Sequence, residues 1–420
     1  MPIVTELELP FFDLTSGDLT GAVYHERLAR LRERGWLAGS PLSFIVLDRA
    51  SGEFFLRSRA TAFPGRQIAE LFGITSGPLW EQIDANILNQ TGPDHRRLRS
   101  LVGPAFTPRA ADRWRATMRG FLDRLWRDVG ASGTCEFVSA VAKPYPSLTI
   151  AAVLGAPLED APRLHEWSNW VQRQFDIRAL ANERDRVERA VTEAYAYIEA
   201  LLRRRRGEPS TDLVSTLLAA EDDGDRLTHA ECGNLVMNVL AGGVDTTQSQ
   251  LAHGLRLFAE HPEQWALLAD RPELISRAVD EILRFEPITP FTARICVEQI
   301  EYREVTFPAG TIIAVCAERA NREAATGAAK GADDAERFDI TAERDGRVLT
   351  FGAGAHYCLG ANLARAELEE ALVFLAPRMP GLALAGPPRL GGIEGIYGIE
   401  ELPLTWDAAP VPPDSRRHQS

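Results

Sequence analysis

No stretch of about 20 apolar residues, the length a membrane-spanning helix needs, occurs in this chain. The opening MPIVTELELPFFDL carries acidic residues where a secretory leader carries a basic start and an apolar run. The chain is therefore expected to be neither secreted nor membrane-spanning, and to work in the cytoplasm. Cysteine is scarce and odd in number, with five among 420 residues, at 135, 232, 296, 316 and 358. No CxxC pair occurs among them for zinc or dithiol exchange, and a reducing compartment fits that usage. Positive charge is short as well: 46 Lys and Arg face 59 Asp and Glu, a net charge of −13. Binding to nucleic acid or to an anionic membrane needs clustered cations that displace counterions, so neither is expected. The one basic run, Arg203 to Arg206, follows the helical pattern EAYAYIEALL and precedes Gly207, where cations complement a helix C-terminus.

What is present is ordinary for a globular protein: 45% apolar and 25% charged residues. Length alone suggests two or three domains. No internal repeat and no clean linker divides the chain, so one large domain is expected over 1–406, followed by a disordered tail, DAAPVPPDSRRHQS, over 407–420. The small-residue stretch REAATGAAKGADDAE, 322–336, reads as a surface loop.

Amphipathic helical patterns dominate, giving a mainly α fold with small β-sheets. PLSFIVLDR and GEFFLRS read as two strands near the start, and RICVEQIEY and TIIAVCAE as two more around the turn Pro308-Ala309-Gly310. The longest helix should begin at Thr228, where Thr228 and Glu231 form a T-x-x-E capping box, and run unbroken to Pro262. Its roughly 32 residues, at about 1.5 Å each, span about 50 Å and must cross the core. In its middle, VLAGGVDTTQSQ, Gly242 and Gly243 each cost about 1 kcal/mol relative to alanine, which implies a use for them.

The last cysteine lies in FGAGAHYCLG. A thiolate is a strong soft ligand that needs help to stay anionic. Gly352, Gly354 and Gly360 permit backbone conformations that aim amides at sulfur, and LGANLARAELEEALVF, with Leu359, Leu363, Ala366 and Val373 at helical spacing, starts a helix whose dipole favours the charge. Phe351 can shield the sulfur and His356 can meet an anionic group. A large, flat, metal-centred ligand suits this loop; a buried structural cysteine and a catalytic nucleophile remain open from the loop alone.

FGAGAHYCLG resembles the haem-binding loop F-G-x-G-x-H-x-C-x-G of the cytochrome P450 superfamily, soluble bacterial type, at every defined position. Three further blocks agree in the same order. AGGVDTT resembles the family's oxygen-activation segment, VDEILRFEP supplies Glu281 and Arg284 as its E-x-x-R pair, and GPDHRRLRSLVGPAFTPR looks like the helix carrying His95 and Arg99. The resemblance covers roughly residues 20–405 and implies one triangular helical prism, with haem b between a long central helix and the cysteine-loop helix.

By that resemblance Cys358 is the iron ligand, and His95, Arg99, Arg294 and His356 neutralise the two propionates, with Phe351, Gly352, Ala241 and Gly242 against the ring. Asp245 and Thr246 would relay protons to dioxygen, and Gly242 and Gly243 leave room for it. Glu281 and Arg284 are structural, with Arg322 as their expected partner. The family's Asn-Arg-Asp-Pro is here Asn321-Arg322-Glu323-Ala324, followed by the small-residue insertion. Leu79, Trp80, Ile83, Ile87, Leu240, Ala241, Ile288, Thr289, Pro290, Phe291, Ile396 and Tyr397 are the expected pocket walls, mostly apolar, with no charged substrate anchor.

The resemblance thus implies a monomeric monooxygenase that hydroxylates or epoxidises a hydrophobic molecule such as a terpenoid, steroid, polyketide, fatty acid or aromatic compound. No flavin or iron–sulfur module is evident, so NAD(P)H would act indirectly, through a ferredoxin and a ferredoxin reductase. The alternatives are a peroxide-driven or non-oxygenating haem-thiolate enzyme, against which Asp245 and Thr246 argue, and a haem sensor or carrier.

Overall fold

The computed structural model describes residues 1–222, 227–323, 335–344 and 346–408. Its largest sheet runs, edge to edge, Leu37–Gly39, Phe44–Val46, Ile312–Cys316, Phe291–Cys296 and Thr61–Ala62. Phe44–Val46 lies parallel to Ile312–Cys316, with Ile45 opposite Ala314, and the other neighbours are antiparallel. RICVEQIEY divides into the end of Phe291–Cys296 and the start of a separate hairpin, Ile300–Tyr302 with Val305–Phe307.

GEFFLRS, expected as a strand, is part of the helix Arg49–Arg57. The reason is local: Asp48 accepts the Ser51 amide at 2.9 Å, an N-cap that outweighs the β-propensity of the two phenylalanines. Gly52 lets this helix lie on the sheet, since a Cβ there would stand 2.9 Å from Val315 Cγ1.

Helices make the main core. Ala161–Gln172 and Arg184–Gly207 pack together above His229–Gly243, and the basic run closes the longer of the two, Arg205 pairing with Asp212 at 2.7 Å and Arg206 with Glu221 at 2.6 Å. The capping box forms as expected, with the Glu231 amide 3.2 Å from Thr228 Oγ1 and the Thr228 amide 2.9 Å from Glu231 Oε2. The helix it opens is not continuous. It stops at Gly243 and restarts as Asp245–Glu260, with Val244 at φ −103°, ψ −69° between the segments.

Glu281 and Arg284, on Ile275–Phe285, are buried and joined by two hydrogen bonds of 2.6 and 2.7 Å. Arg284 also donates to the carbonyls of Ala335 and Arg337 at 2.8 and 2.9 Å, and Glu281 accepts the Asp339 amide at 2.9 Å. The expected third partner is corrected. Arg344 reaches Glu281 at 3.2 Å, whereas Arg322 pairs with buried Glu318 one turn behind it and donates to the Phe285 carbonyl at 2.7 Å. Of the two segments expected to be irregular, 324–334 and 409–420 lie outside the described residues, while the Asp407 amide is held by the Pro380 carbonyl at 2.7 Å. Among the described residues no helix is long and apolar enough to cross a membrane.

Candidate functional site

A cavity of about 520 Å³ separates the broken helix from the cysteine loop. The loop takes its shape from two glycines. Gly352 sits at φ +69°, ψ −163°, and Gly354 at φ +72°, where a Cβ would also stand 2.7 Å from the Leu56 carbonyl oxygen. Gly360 has φ −81° and no protein atom within 4 Å of where a Cβ would stand, so neither strain nor protein packing requires that glycine.

The Cys358 amide donates to Phe351 O at 2.9 Å, closing the loop just ahead of the helix Ala361–Leu375. Cys358 is the one exposed cysteine of the five, and it is exposed into the cavity. Enclosure by protein pushes its thiol pKa up, opposed by the amides of Gly360 and Ala361 and by the Arg99 charge. The loop therefore aims donors at sulfur and places it at a helix start.

Two arginines and two histidines share the wall beside the sulfur. His95 and His356 have ring centroids 4.3 Å apart, and Arg99 and Arg294 line the same cavity. Arg294 is buried, it donates to the Ala293 carbonyl at 2.8 Å, and desolvation lowers its pKa to about 10. Arg99 donates to the Tyr357 carbonyl. Burial first, then His95, Arg294 and Arg99, push the His356 pKa down to about 3. Two guanidiniums and two imidazoles so placed, with no carboxylate paired to them among the described residues, suit a ligand that brings its own carboxylates. Together with the thiol, this donor set fits a haem.

On the broken helix, Gly242 is exposed to the cavity and no protein atom would meet its Cβ, whereas a Cβ on Gly243 would stand 2.3 Å from Ile150 Cδ1. The pair therefore divides its work. Gly242 widens the cavity, while Gly243 admits the helix Pro144–Leu154 as well as bordering the space. Thr246 lines the cavity, its hydroxyl donating to the Gly242 carbonyl at 2.7 Å. Asp245 does not line it. Its carboxyl accepts from Asn169 at 3.3 Å, and burial raises its pKa, with Asn169 and Arg173 opposing.

Of the expected pocket walls, Ile83, Ile87, Ala241, Ile288, Thr289, Phe291 and Ile396 line the cavity. Leu79, Trp80, Leu240, Pro290 and Tyr397 do not. Leu79 and Leu240 are spent in the core, and Trp80 packs against it. Pro290 offers its carbonyl to the Ala317 amide, and the Tyr397 hydroxyl accepts from the Gly21 amide at 2.9 Å. Sequence reading missed Phe63, Gln174, Phe175 and Glu394, from segments far apart in the chain. Glu394 pairs with Arg178 at 2.7 Å, so its charge is met by protein.

Glu367 was also missed. Val373, assigned to the apolar stripe by spacing, is exposed, and Glu367 and Glu370 take buried positions on that helix instead. Glu370 meets Arg115 and Arg119, while Glu367 borders the cavity, and burial raises its pKa well above the ordinary 4.5 against the hydroxyls of Thr247 and Thr149. A raised carboxyl binds more protons folded than unfolded, so its share of stability is present below pH 4.5 and fades as the pH climbs toward the folded value. Glu367→Gln, which keeps the shape without the titration, is expected to match or exceed the parent in urea midpoint at pH 8 and to gain less on acidification to pH 5. Equal pH slopes for the two proteins would show that the carboxyl is charged in the fold.

A family model described as Cytochrome P450 matches residues 78–375. The chain is 35% identical to luteothin monooxygenase of Streptomyces thioluteus, over 96% of this chain and 97% of that one. It is 36% identical to mycinamicin IV hydroxylase/epoxidase of Micromonospora griseorubida, over 78% and 81% of the two chains. Among solved structures, CalO2 superposes with a TM-score of 0.87 at 30% identity, covering 95% of this chain and all of the other.

Proposed function

The chain belongs to the cytochrome P450 family of haem monooxygenases, and on that premise we propose that it hydroxylates or epoxidises a hydrophobic small organic molecule, with electrons from a separate ferredoxin and its NAD(P)H-dependent reductase. Dioxygen, two electrons and two protons then yield one oxygen atom in product and one in water.

The observation that carries this reading is that Cys358 and Thr246, the latter beside an exposed glycine, line one cavity. Cys358 would hold the iron, and Arg99, Arg294, His95 and His356 would hold the two propionates. When bound, the haem supplies dioxygen activation at its iron. The residues of this chain do the rest. Ile83, Ile87, Ile288, Phe291 and Ile396 exclude water and favour an apolar substrate, and Thr246 is positioned to hold a water or substrate hydroxyl near Gly242. Asp245 follows the break directly, next to Thr246, and burial raises its pKa in the direction that favours a proton donor.

The reading is tested on the haem-loaded, dithionite-reduced protein under carbon monoxide. A red-shifted Soret band reports thiolate ligation by Cys358, and its absence in a fully loaded sample overturns the assignment. The substrate class is then sought by the low-to-high spin shift of the ferric protein across apolar compounds.

A further inference from the structure

The break at Val244 leaves carbonyls at the end of His229–Gly243 without the amides of a next turn. Side chains meet three of them. Ser168 Oγ lies 3.0 Å from Leu240 O and 3.2 Å from Ala241 O, and Thr246 Oγ1 lies 2.7 Å from Gly242 O. Ser168 is fully buried and belongs to Ala161–Gln172, a different helix. Its single proton is shared between two carbonyls, so nothing else replaces it if it is lost.

Two neighbours on the same helix face extend the contact. His165 Nε2 is 2.8 Å from Gln248 Oε1, and Asn169 Nδ2 is 3.3 Å from Asp245 Oδ1. Residues 165, 168 and 169 fall at i, i+3 and i+4, and so project together. Between them they hold both sides of the interruption: positions 240 and 241 before it, 245 and 248 after it. The segment that continues this helix, through Gln174 and Phe175, lines the cavity.

We propose that His165, Ser168 and Asn169 form a clamp that sets the break in the central helix, with Ser168 as the positioning residue for Thr246 and Asp245. The hydroxyl stabilises an interrupted helix over a continuous one, because a continuous helix would take the Leu240 and Ala241 carbonyls for its own amides. Asn169 holds the Asp245 carboxyl, which does not line the cavity, so that of the Asp245–Thr246 pair Thr246 is the one that does. The functional consequence rests on the haem-facing role read above for Thr246; the clamp itself does not.

Ser168→Ala is examined in the haem-loaded protein by amide hydrogen exchange and by the infrared C–O stretch of the reduced protein, with carbon monoxide as the probe. Loss of the shared hydrogen bond is expected to speed exchange across residues 240–248 about tenfold, while leaving residues 250–258 unchanged. The stretch is expected to shift or split as the Thr246 surroundings loosen. Ser168→Thr should restore both signals. Ser147→Ala, which removes a buried hydroxyl bonded within its own helix to Lys143 O, should leave both as in the parent. Parental exchange and stretch in Ser168→Ala overturn the clamp, as does an equal change in Ser147→Ala. If the parent itself lacks the red-shifted Soret band, the haem-thiolate reading fails, and the exchange result alone decides the clamp.

Discussion

An Arg284→Ala protein is expected to lose about 3–5 kcal/mol of folding stability, because it strands a buried carboxylate rather than deleting a surface ion pair. Glu281 is 4% exposed and Arg284 5%. Without the guanidinium, Glu281 keeps Arg344 at 3.2 Å and the Asp339 amide, but loses the bidentate partner that spans both its oxygens. The carbonyls of Ala335 and Arg337 lose a donor at the same time. Arg284→Lys should recover part of the loss, since one ammonium keeps the charge but cannot match a planar fork to a carboxylate and two carbonyls together. Denaturant unfolding of the haem-loaded variants measures this. A cost below about 1 kcal/mol for the alanine variant would mean that the pair is solvated in practice and that the segment 335–344 is anchored by other contacts.

That segment also marks where sequence reading stopped. The E-x-x-R spacing revealed the pair, since residues three apart on a helix face each other, but a helix spacing cannot say which distant cation joins them. Arg322 was the expected partner and Arg344 is the observed one, because Arg322 is already held by Glu318 a turn behind it. The cysteine loop was legible for the opposite reason. Its shape depends on left-handed glycines and on a helix start, all local in sequence. Gly360 shows the limit even there, as its composition suggested a backbone need that its φ of −81° does not have. The strand expected for GEFFLRS rested on its two phenylalanines, and the Asp48 cap just ahead of it makes the segment a helix instead. The break at Val244 was not legible, since it is fixed by Ser168, some 70 residues upstream, and by a threonine that bonds back across the break to Gly242. Cavity walls such as Phe63, Phe175 and Glu394 depend on tertiary placement alone.

Thr246→Ala is expected to lower dioxygen-driven product formation by about 10²-fold, the lower end of what a positioned proton-transfer group contributes. The hydroxyl has one proton, and the Gly242 carbonyl holds it at 2.7 Å. What remains toward the cavity is acceptor capacity, so Thr246 acts by receiving a hydrogen bond from a water or another donor and keeping it in place. Alanine removes that acceptor and also frees the Gly242 carbonyl, which changes how the cavity wall binds water. Thr246→Ser retains both functions and should remain near the parent. Asp245→Asn should have a smaller effect in the same direction, because Asp245 is held outside the cavity by Asn169 and must move or use water to deliver a proton. The measurement is product formed per NAD(P)H consumed, with a compound identified by spin shift and a ferredoxin–reductase pair, beside the same product formed with hydrogen peroxide. Peroxide already carries the two electrons and two protons, so its turnover should survive Thr246→Ala. If the alanine variant keeps parental coupling with dioxygen, the relay is misassigned. If the parent itself turns over only with peroxide, the peroxide-driven reading replaces the monooxygenase one.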